Sequence, residues 1–370
     1  METFGNRSRR GRFDRGEWPC VGCRPSCLHR GLRLVTSGPP QSALRVNHAP
    51  GGGPEVLRLE EAPTPHPGYG EILVQVAYAG VNRPDVLQRS GRYPPPPDAS
   101  PILGLEVAGR VASRGAGCRR YAVGDPVCAL VPGGGYAEYC CVPETQVLPL
   151  PRGLTLAEAA ALPETHFTVW AMLFGQGRLR PGESLLIHGG TSGIGLTALD
   201  LARAFDVRVA VSVGSEEKAQ VCLARGACRA VVRGRDDIAS VLRDTEFVPD
   251  VILDIGGGEA TASNLELLGR DGRLVQVGTL AGAQSTIALG SVLAKRLTIV
   301  GSTMRGRTRE EKALLARDLE IRVWPLYAAG LRPPIARIFP LARVADAHRL
   351  MESATHIGKI LLEVAADPTS

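Results

Sequence analysis

Eight residues, His188-Gly-Gly-Thr-Ser-Gly-Ile-Gly195, have the types and spacing to hold a phosphorylated ligand. They follow an apolar run, Ser184-Leu-Leu-Ile-His188, and precede residues 196–205, whose apolar positions recur at helical spacing. A glycine-rich turn between a strand and a helix lets backbone approach a diphosphate, and the N–H groups at the helix start favour its negative charge. Aligned on the dinucleotide fingerprint, Gly190 makes the tight turn. Gly193 and Gly195, with Ile194 between them, allow close backbone approach and helix packing. Ser192 stands where the second glycine is usual, and its hydroxyl is expected to contact the ligand.

Roughly twenty residues on, an NAD-binding chain would end its second strand in Asp or Glu to hold the ribose 2′-hydroxyl. Here the stretch is Ser212-Val-Gly-Ser215, without a carboxylate. Room remains for a 2′-phosphate, and Lys218, one helical turn on, supplies positive charge. NADPH is therefore expected over NADH. Ser215-Glu-Glu-Lys218 also reads as an ordinary capped helix start, and the two readings are compatible.

The elements that must position these residues follow an α/β pattern. Strands are expected at 184–188, 207–213, near 231, 251–254, 273–277 and 297–300, with helices at 196–205 and 216–225. Helical stretches near 309–329 and 341–353 and a strand at 359–364 complete the chain. The unit over 184–213 is a βαβ crossover, the sign of a parallel doubly wound sheet. From about residue 43 the texture differs. Short alternating segments such as Glu71-Ile-Leu-Val-Gln-Val-Ala77, punctuated by Gly and Pro, read as strands of a β-rich domain.

In whole segments the chain resembles the medium-chain dehydrogenase/reductase superfamily, and within it the zinc-free, zeta-crystallin-like quinone oxidoreductases. The resemblance rests on the stretch from Ala79 to Tyr93, Ile102-Leu-Gly-Leu-Glu-Val-Ala-Gly109, Val123-Gly-Asp-Pro-Val127, Ala160-Ala-Leu-Pro-Glu164, the glycine turn and Ile357-Gly-Lys359. Tyr93-Pro-Pro-Pro-Pro97 and Pro132-Gly-Gly-Gly135 look most like the tumour-suppressor-inducible branch. The resemblance covers about residues 43–366 and implies a GroES-like catalytic domain (43–165 with 312–366) and a Rossmann NADPH-binding domain (166–311); the Arg-rich residues 1–42 read as a disordered extension or the product of a start placed too far upstream, and 367–370 as a tail.

What the resemblance implies for the site is specific. Tyr93 lines the substrate cleft and hydrogen-bonds the acceptor oxygen, and Asn82 stands near nicotinamide and substrate. Thr168 corresponds to a threonine close to the nicotinamide ring, and Gly278 and Thr279 pass under its carboxamide. Gly214, Ser215 and Lys218 match the 2′-phosphate pocket. Arg233, where relatives often carry tyrosine, either pairs with the phosphate or points to solvent. His356 replaces an Asn of relatives, which leaves its cofactor contact open. Lys359 either reaches the cofactor or, opening a final strand, is merely solvated.

Zinc dehydrogenases of the superfamily place a histidine and a cysteine where this chain has Leu105 and Asn82, and a four-cysteine lobe is absent. The resemblance implies no metal and an acceptor that takes hydride readily: a quinone, or an alkene conjugated to a carbonyl. An enoyl or alkenal reductase is the nearest alternative; a non-catalytic NADPH-binding structural or redox-sensing protein is another. A homodimer formed by sheet extension near residues 297–302 is also implied.

Charge and cysteines narrow the field. Of the net +6, five charges fall in residues 1–42, which hold eight Arg, no Lys and three acids. The rest is nearly neutral and carries no basic run interleaved with aromatics, so nucleic acid is not an expected partner. No apolar run is long enough to span a membrane. Nine cysteines without scaffold spacing read as reduced thiols in a cytoplasmic protein. Cys20, Cys23, Cys27 and His29 fit no zinc pattern well, and adjacent Cys140 and Cys141 are expected on opposite faces of a strand. His188 and Asp254 have no recognisable partner, and no hydrolytic triad is apparent.

Overall fold

A computed structural model describes residues 38–49 and 51–365. The expectations for residues 1–37, including the Cys20, Cys23, Cys27 and His29 group, and for the tail at 367–370 lie outside the described residues.

Leu185, Leu186 and Ile187 are fully buried, as are Val251, Ile252 and Leu253. Strands apolar on both faces belong in the middle of a covered parallel sheet. They form its centre here: the order is Arg229–Val232, Arg208–Val213, Ser184–His188, Val251–Asp254, Arg273–Gln276, Thr298–Gly301, all parallel. Strand order reverses between Ser184–His188 and Val251–Asp254. In a doubly wound sheet the ligand crevice opens at the carboxyl ends of the strands at that point. Those ends are His188 and Asp254.

The second sheet runs Ile335–Pro340, Lys359–Glu363, Glu71–Val81, Glu106–Arg114, Pro126–Leu130, Val147–Pro149, with Tyr139–Pro143 also on Glu71–Val81. It is antiparallel apart from the pair formed by its first two strands. Val74, Val76, Val107, Val127 and Val142 build its core at 0% exposure. This is the GroES-like part, and the fold is the α/β pairing of that part with a Rossmann sheet.

Register brings the two sheets to one place. Ile360 pairs with Val81, and Ala79 with Val107, so Lys359, Asn82 and Glu106 share one sheet end. Gly358 N–H then donates to the Thr191 carbonyl in the glycine turn, at 3.0 Å. The Pro163–Val169 helix lies on the Gly193–Ala204 helix, with Thr197 Oγ1 donating to Thr165 Oγ1 at 3.0 Å. It continues as a wider π-type turn, Trp170–Gln176, an arrangement common at functional sites.

Candidate functional site

The glycine turn is built with one change of role. Gly189, not Gly190, takes the positive φ, +76°. Gly190 is needed for another reason: a Cβ there would lie 2.7 Å from Val211 Cβ. A Cβ on Gly195 would meet the Gly189 carbonyl oxygen at 2.3 Å. Ser192 differs more from expectation. Its hydroxyl is committed within the chain, donating to Gly189 O at 2.8 Å and accepting from Gly195 N–H at 3.0 Å. It is the N-cap of Gly193–Ala204, and with Gly195 N–H capped, the Gly193 and Ile194 N–H groups remain for a ligand.

At the end of the Arg208–Val213 strand, Gly214 is exposed and has no carboxylate beside it. Ser215 caps the Glu216–Ala224 helix by accepting from Lys218 N–H at 3.3 Å. Lys218 Nζ reaches the Ala354 carbonyl at 2.6 Å. Arg233 is exposed, with Nη2 3.8 Å from where a Gly214 Cβ would stand and Nη1 3.5 Å from Ser212 O. Burial, then Arg233, lowers the Lys218 ammonium pKa; burial, then Lys218 among other cations, lowers that of His356. Arg233 beside Gly214 and Lys218 near Arg233 bring positive charge to this strand end.

Between turn and sheet end lies a buried polar cluster. Lys359 Nζ meets Glu106 Oε1 and Asn82 Oδ1, each at 2.5 Å, and Asn82 Nδ2 donates to the same Glu106 oxygen at 2.8 Å. Lys359 is 4% exposed, so it is not a solvated strand opener. Asn82 is the N-cap of the Arg83–Arg89 helix in extended backbone, φ −129°, and its N–H donates to Asp85 Oδ2. Glu106 Oε2 accepts from Glu164 N–H at 2.9 Å. Burial pushes the Glu164 carboxyl up to about 7, with Lys359 opposing and Glu106 and Asp85 reinforcing. Asp85 is pushed up to about 6 by burial, although three hydrogen bonds oppose it.

Tyr93 is half-buried, with the Arg305 guanidinium carbon 5.5 Å from its ring centre. Burial holds its hydroxyl above the ordinary phenol range; Arg305 opposes and Glu164 adds. Thr168 Oγ1 is buried with no hydrogen-bond partner. Gly278 O accepts from Gln276 Nε2 at 2.5 Å, and a Cβ on Gly278 would lie 2.8 Å from Ile255 O; Thr279 beside it is exposed.

His188 and Asp254 do have partners. Ser212 Oγ lies 2.7 Å from His188 Nδ1, Asn264 Oδ1 lies 2.7 Å from Nε2, and Asn264 Nδ2 donates to Asp254 Oδ2 at 3.2 Å. A neutral ring accepting at Nδ1 and donating at Nε2 satisfies the row, and burial lowers the His188 pKa accordingly. The row ties together the crevice strands and contains no nucleophile with an adjacent base. Cys140 is buried and Cys141 half-buried on their strand; burial raises both thiols, Cys141 to about 11, so neither is activated.

Sequence reasoning missed Glu106, Glu164 and Arg305 as site residues. One signal existed for the first: Glu106 and Lys359 are opposite charges that each open a strand directly before an apolar run, Val107-Ala108 and Ile360-Leu361-Leu362.

The comparisons with known proteins agree with this geometry. Residues 68–152 match the family described as alcohol dehydrogenase GroES-like domain, and residues 193–318 that described as zinc-binding dehydrogenase. The chain is 32% identical to the quinone oxidoreductase of Mus musculus over 318 residues, covering 84% of this chain and 95% of that protein. It is 33% identical to the quinone oxidoreductase of Lama guanicoe over 327 residues, covering 86% and 96%. The solved Escherichia coli quinone oxidoreductase complexed with NADPH superposes with a TM-score of 0.76 at 29% identity, covering 87% of this chain and all of that one. Fold and site together define a medium-chain dehydrogenase/reductase. Within that superfamily, the chain belongs to the zinc-free quinone oxidoreductases.

A nicotinamide cofactor fits the residues present: the Gly193 and Ile194 N–H groups stand uncapped at a helix start, and Thr168 Oγ1, on the Pro163–Val169 helix that packs on that helix, is a buried polar atom without a hydrogen-bond partner. Among the described residues no helix is long and apolar enough to cross a membrane.

Proposed function

We propose that the protein is an NADPH-dependent, zinc-independent quinone oxidoreductase. The observation that carries the NADPH reading is the Lys218 and Arg233 pair around exposed, carboxylate-free Gly214. A ribose hydroxyl needs an acceptor there, whereas a 2′-phosphate needs cations. The bound cofactor supplies the hydride. The chain does the rest: the Gly193 and Ile194 N–H groups hold the diphosphate, with Ser192 as the cap that takes up Gly195 N–H and Gly195 as the residue whose missing Cβ lets the helix start close on the turn. Gly214, Ser215, Lys218 and Arg233, with His356 nearby, hold the 2′-phosphate. Thr168, Gly278 and Thr279 orient the nicotinamide, and Asn82 and Tyr93 face the acceptor, Tyr93 as a hydroxyl that stays protonated.

In this reading residues 43–165 with 312–366 form the catalytic domain and 166–311 the cofactor domain. A second copy pairs along the Thr298–Gly301 edge, where Ile299 and the nearby Leu289 and Leu293 are exposed. The six described cysteines are all unpaired, in keeping with the reducing cytoplasm.

The test is NADPH oxidation at 340 nm with ortho- and para-quinones, an alkenal and an enoyl thioester, each repeated with NADH. Quinone turnover with NADPH preferred supports the reading. Preferred turnover of the alkenal or thioester makes the protein an alkene reductase, and tight NADPH binding without turnover makes it a sensor or structural protein.

A further inference from the structure

Arg305 lies in the loop at 302–308, between the Thr298–Gly301 strand and the Arg309–Arg322 helix, and is only 8% exposed. Its Nε and Nη2 donate to the Pro132 carbonyl at 3.0 and 2.7 Å. Nη1 is buried and has no hydrogen-bond partner. Among the described residues Arg305 forms no ion pair with a carboxylate; burial opposes its charge, and the face of the Tyr93 ring and the Asp85 carboxyl favour it. Buried Lys312, whose Nζ donates to the Arg305 carbonyl at 3.2 Å, adds a second positive charge.

A guanidinium taken out of water without a counter-ion is costly, and a chain that retains one in a cleft has a use for its field. Here the cation stands at the end of a connected row that starts at the glycine turn. A Gly193 Cβ would touch Lys359 Cδ at 2.8 Å. Lys359 holds Glu106, and Glu106 holds the Glu164 N–H. Glu164 is close enough to add to the burial that raises the Tyr93 pKa, and the Arg305 guanidinium stands over the Tyr93 ring. The unpaired N–H therefore belongs to the acceptor end of the site. The Pro132 carbonyl and the Tyr93 ring fix its plane.

We propose that Arg305 Nη1 binds the carbonyl oxygen of the acceptor and the negative charge that oxygen gains on reduction. The proposal rests on the reading of the protein as a quinone reductase and adds the group that stabilises the product anion. Hydride brings one hydrogen nucleus and an electron pair to the acceptor. A conjugated π bond breaks, and its pair comes to rest on the carbonyl oxygen beside Nη1. The acceptor gains two electrons, the nicotinamide loses two, and a proton from water neutralises the oxyanion on release. Removing one preorganised donor to a developing oxyanion lowers turnover roughly 100- to 1,000-fold.

Arg305→Met is expected to lower kcat for a quinone about 100-fold with KM for NADPH unchanged. A second readout needs no turnover: binding of 4-nitrophenolate, against its neutral methyl ether, to the full chain loaded with NADP+, followed by the change in absorbance. Wild type is expected to bind the phenolate at least about tenfold more tightly than the ether, Arg305→Met to lose that preference, and Arg305→Lys to keep part of it. Equal binding of the two probes by wild type overturns the proposal without any variant, and so does an undiminished preference in Arg305→Met. Should Arg305→Met fail to bind NADP+, Arg305→Lys and Arg305→Gln decide: equal preference in the two overturns the role of the charge. Wild type that prefers the phenolate yet reduces no quinone leaves the anion site standing and removes the quinone reading. Quinone turnover without phenolate preference does the reverse.

Discussion

Lys359 Nζ lies 2.5 Å from Glu106 Oε1, although 253 residues separate them. The first opens the Lys359–Glu363 strand, the second the Glu106–Arg114 strand, and Glu71–Val81 runs between them. Neither residue has water to fall back on, at 4% and 0% exposure. Breaking such a pair from one side leaves a buried charge, which costs about 3–5 kcal/mol. Lys359→Met is expected to lose stability of that order in urea unfolding of the cofactor-free protein, and Lys359→Met with Glu106→Gln to recover part of it. A single-variant loss below about 1 kcal/mol would show that the pair is solvated.

Cofactor preference follows from the cations around Gly214. A hydrogen bond to a charged group contributes about 1.5–3 kcal/mol, roughly ten- to a hundredfold in affinity. Lys218→Ala is expected to narrow the ratio of kcat/KM for NADPH over NADH by about tenfold or more, and exposed Arg233→Ala by somewhat less because solvent screens it. NADH kinetics should hardly change in either variant. A ratio unaltered in one variant removes that residue from the phosphate pocket.

The Rossmann sheet and its glycine turn were legible because periodicity and spacing are local: a strand, a turn and a helix within one short stretch. The carboxylate-free strand end was legible for the same reason. Asn82 and Tyr93 came only through resemblance, and Glu164 and Arg305 not at all. Each of these is one residue on its own element, and pairing register and helix docking bring them together. Gly190 was assigned the tight turn for a smaller reason. Two adjacent glycines satisfy the turn pattern equally, and only backbone geometry shows which takes the positive φ and which avoids Val211. Ser192 looked like a ligand contact because a serine in a cradle and a serine at an N-cap have the same sequence signature.

Buried titratable groups give stability two opposing pH dependences. Glu164 is pushed up to about 7 by burial, from an ordinary 4.5, and Asp85 to about 6. Across those windows the folded chain binds more protons than the unfolded one. Their contribution is complete at acid pH and is lost as pH rises through about 6 to 7. His166 and His348 are lowered by burial to about 4 and about 3, so their contribution is present above about 6.5 and lost as pH falls. Glu164→Gln removes one carboxyl from the first set only. The melting temperature of the variant minus that of wild type should rise between pH 5 and 8, and a flat difference would mean Glu164 is ionised throughout.

The two helix-start glycines should not tolerate alanine equally. At Gly195 the new Cβ meets backbone, the Gly189 oxygen at 2.3 Å and the Gly190 carbonyl carbon at 2.8 Å, so the turn itself must open. At Gly193 it meets side chains, Lys359 Cδ at 2.8 Å and Thr165 Cγ2 at 3.2 Å, which can shift at the expense of the Lys359 bonds. Gly195→Ala is expected to abolish NADPH binding in a fluorescence titration and to lower the melting temperature. Gly193→Ala should keep the fold and bind NADPH more weakly. Ser192→Ala adds a control, losing the cap at a cost of about 1 kcal/mol while leaving the cradle's shape. Ser192→Val loses the same cap and also crowds the space above the turn, so it should bind NADPH more weakly than Ser192→Ala. Undiminished binding by Gly195→Ala would place the diphosphate elsewhere.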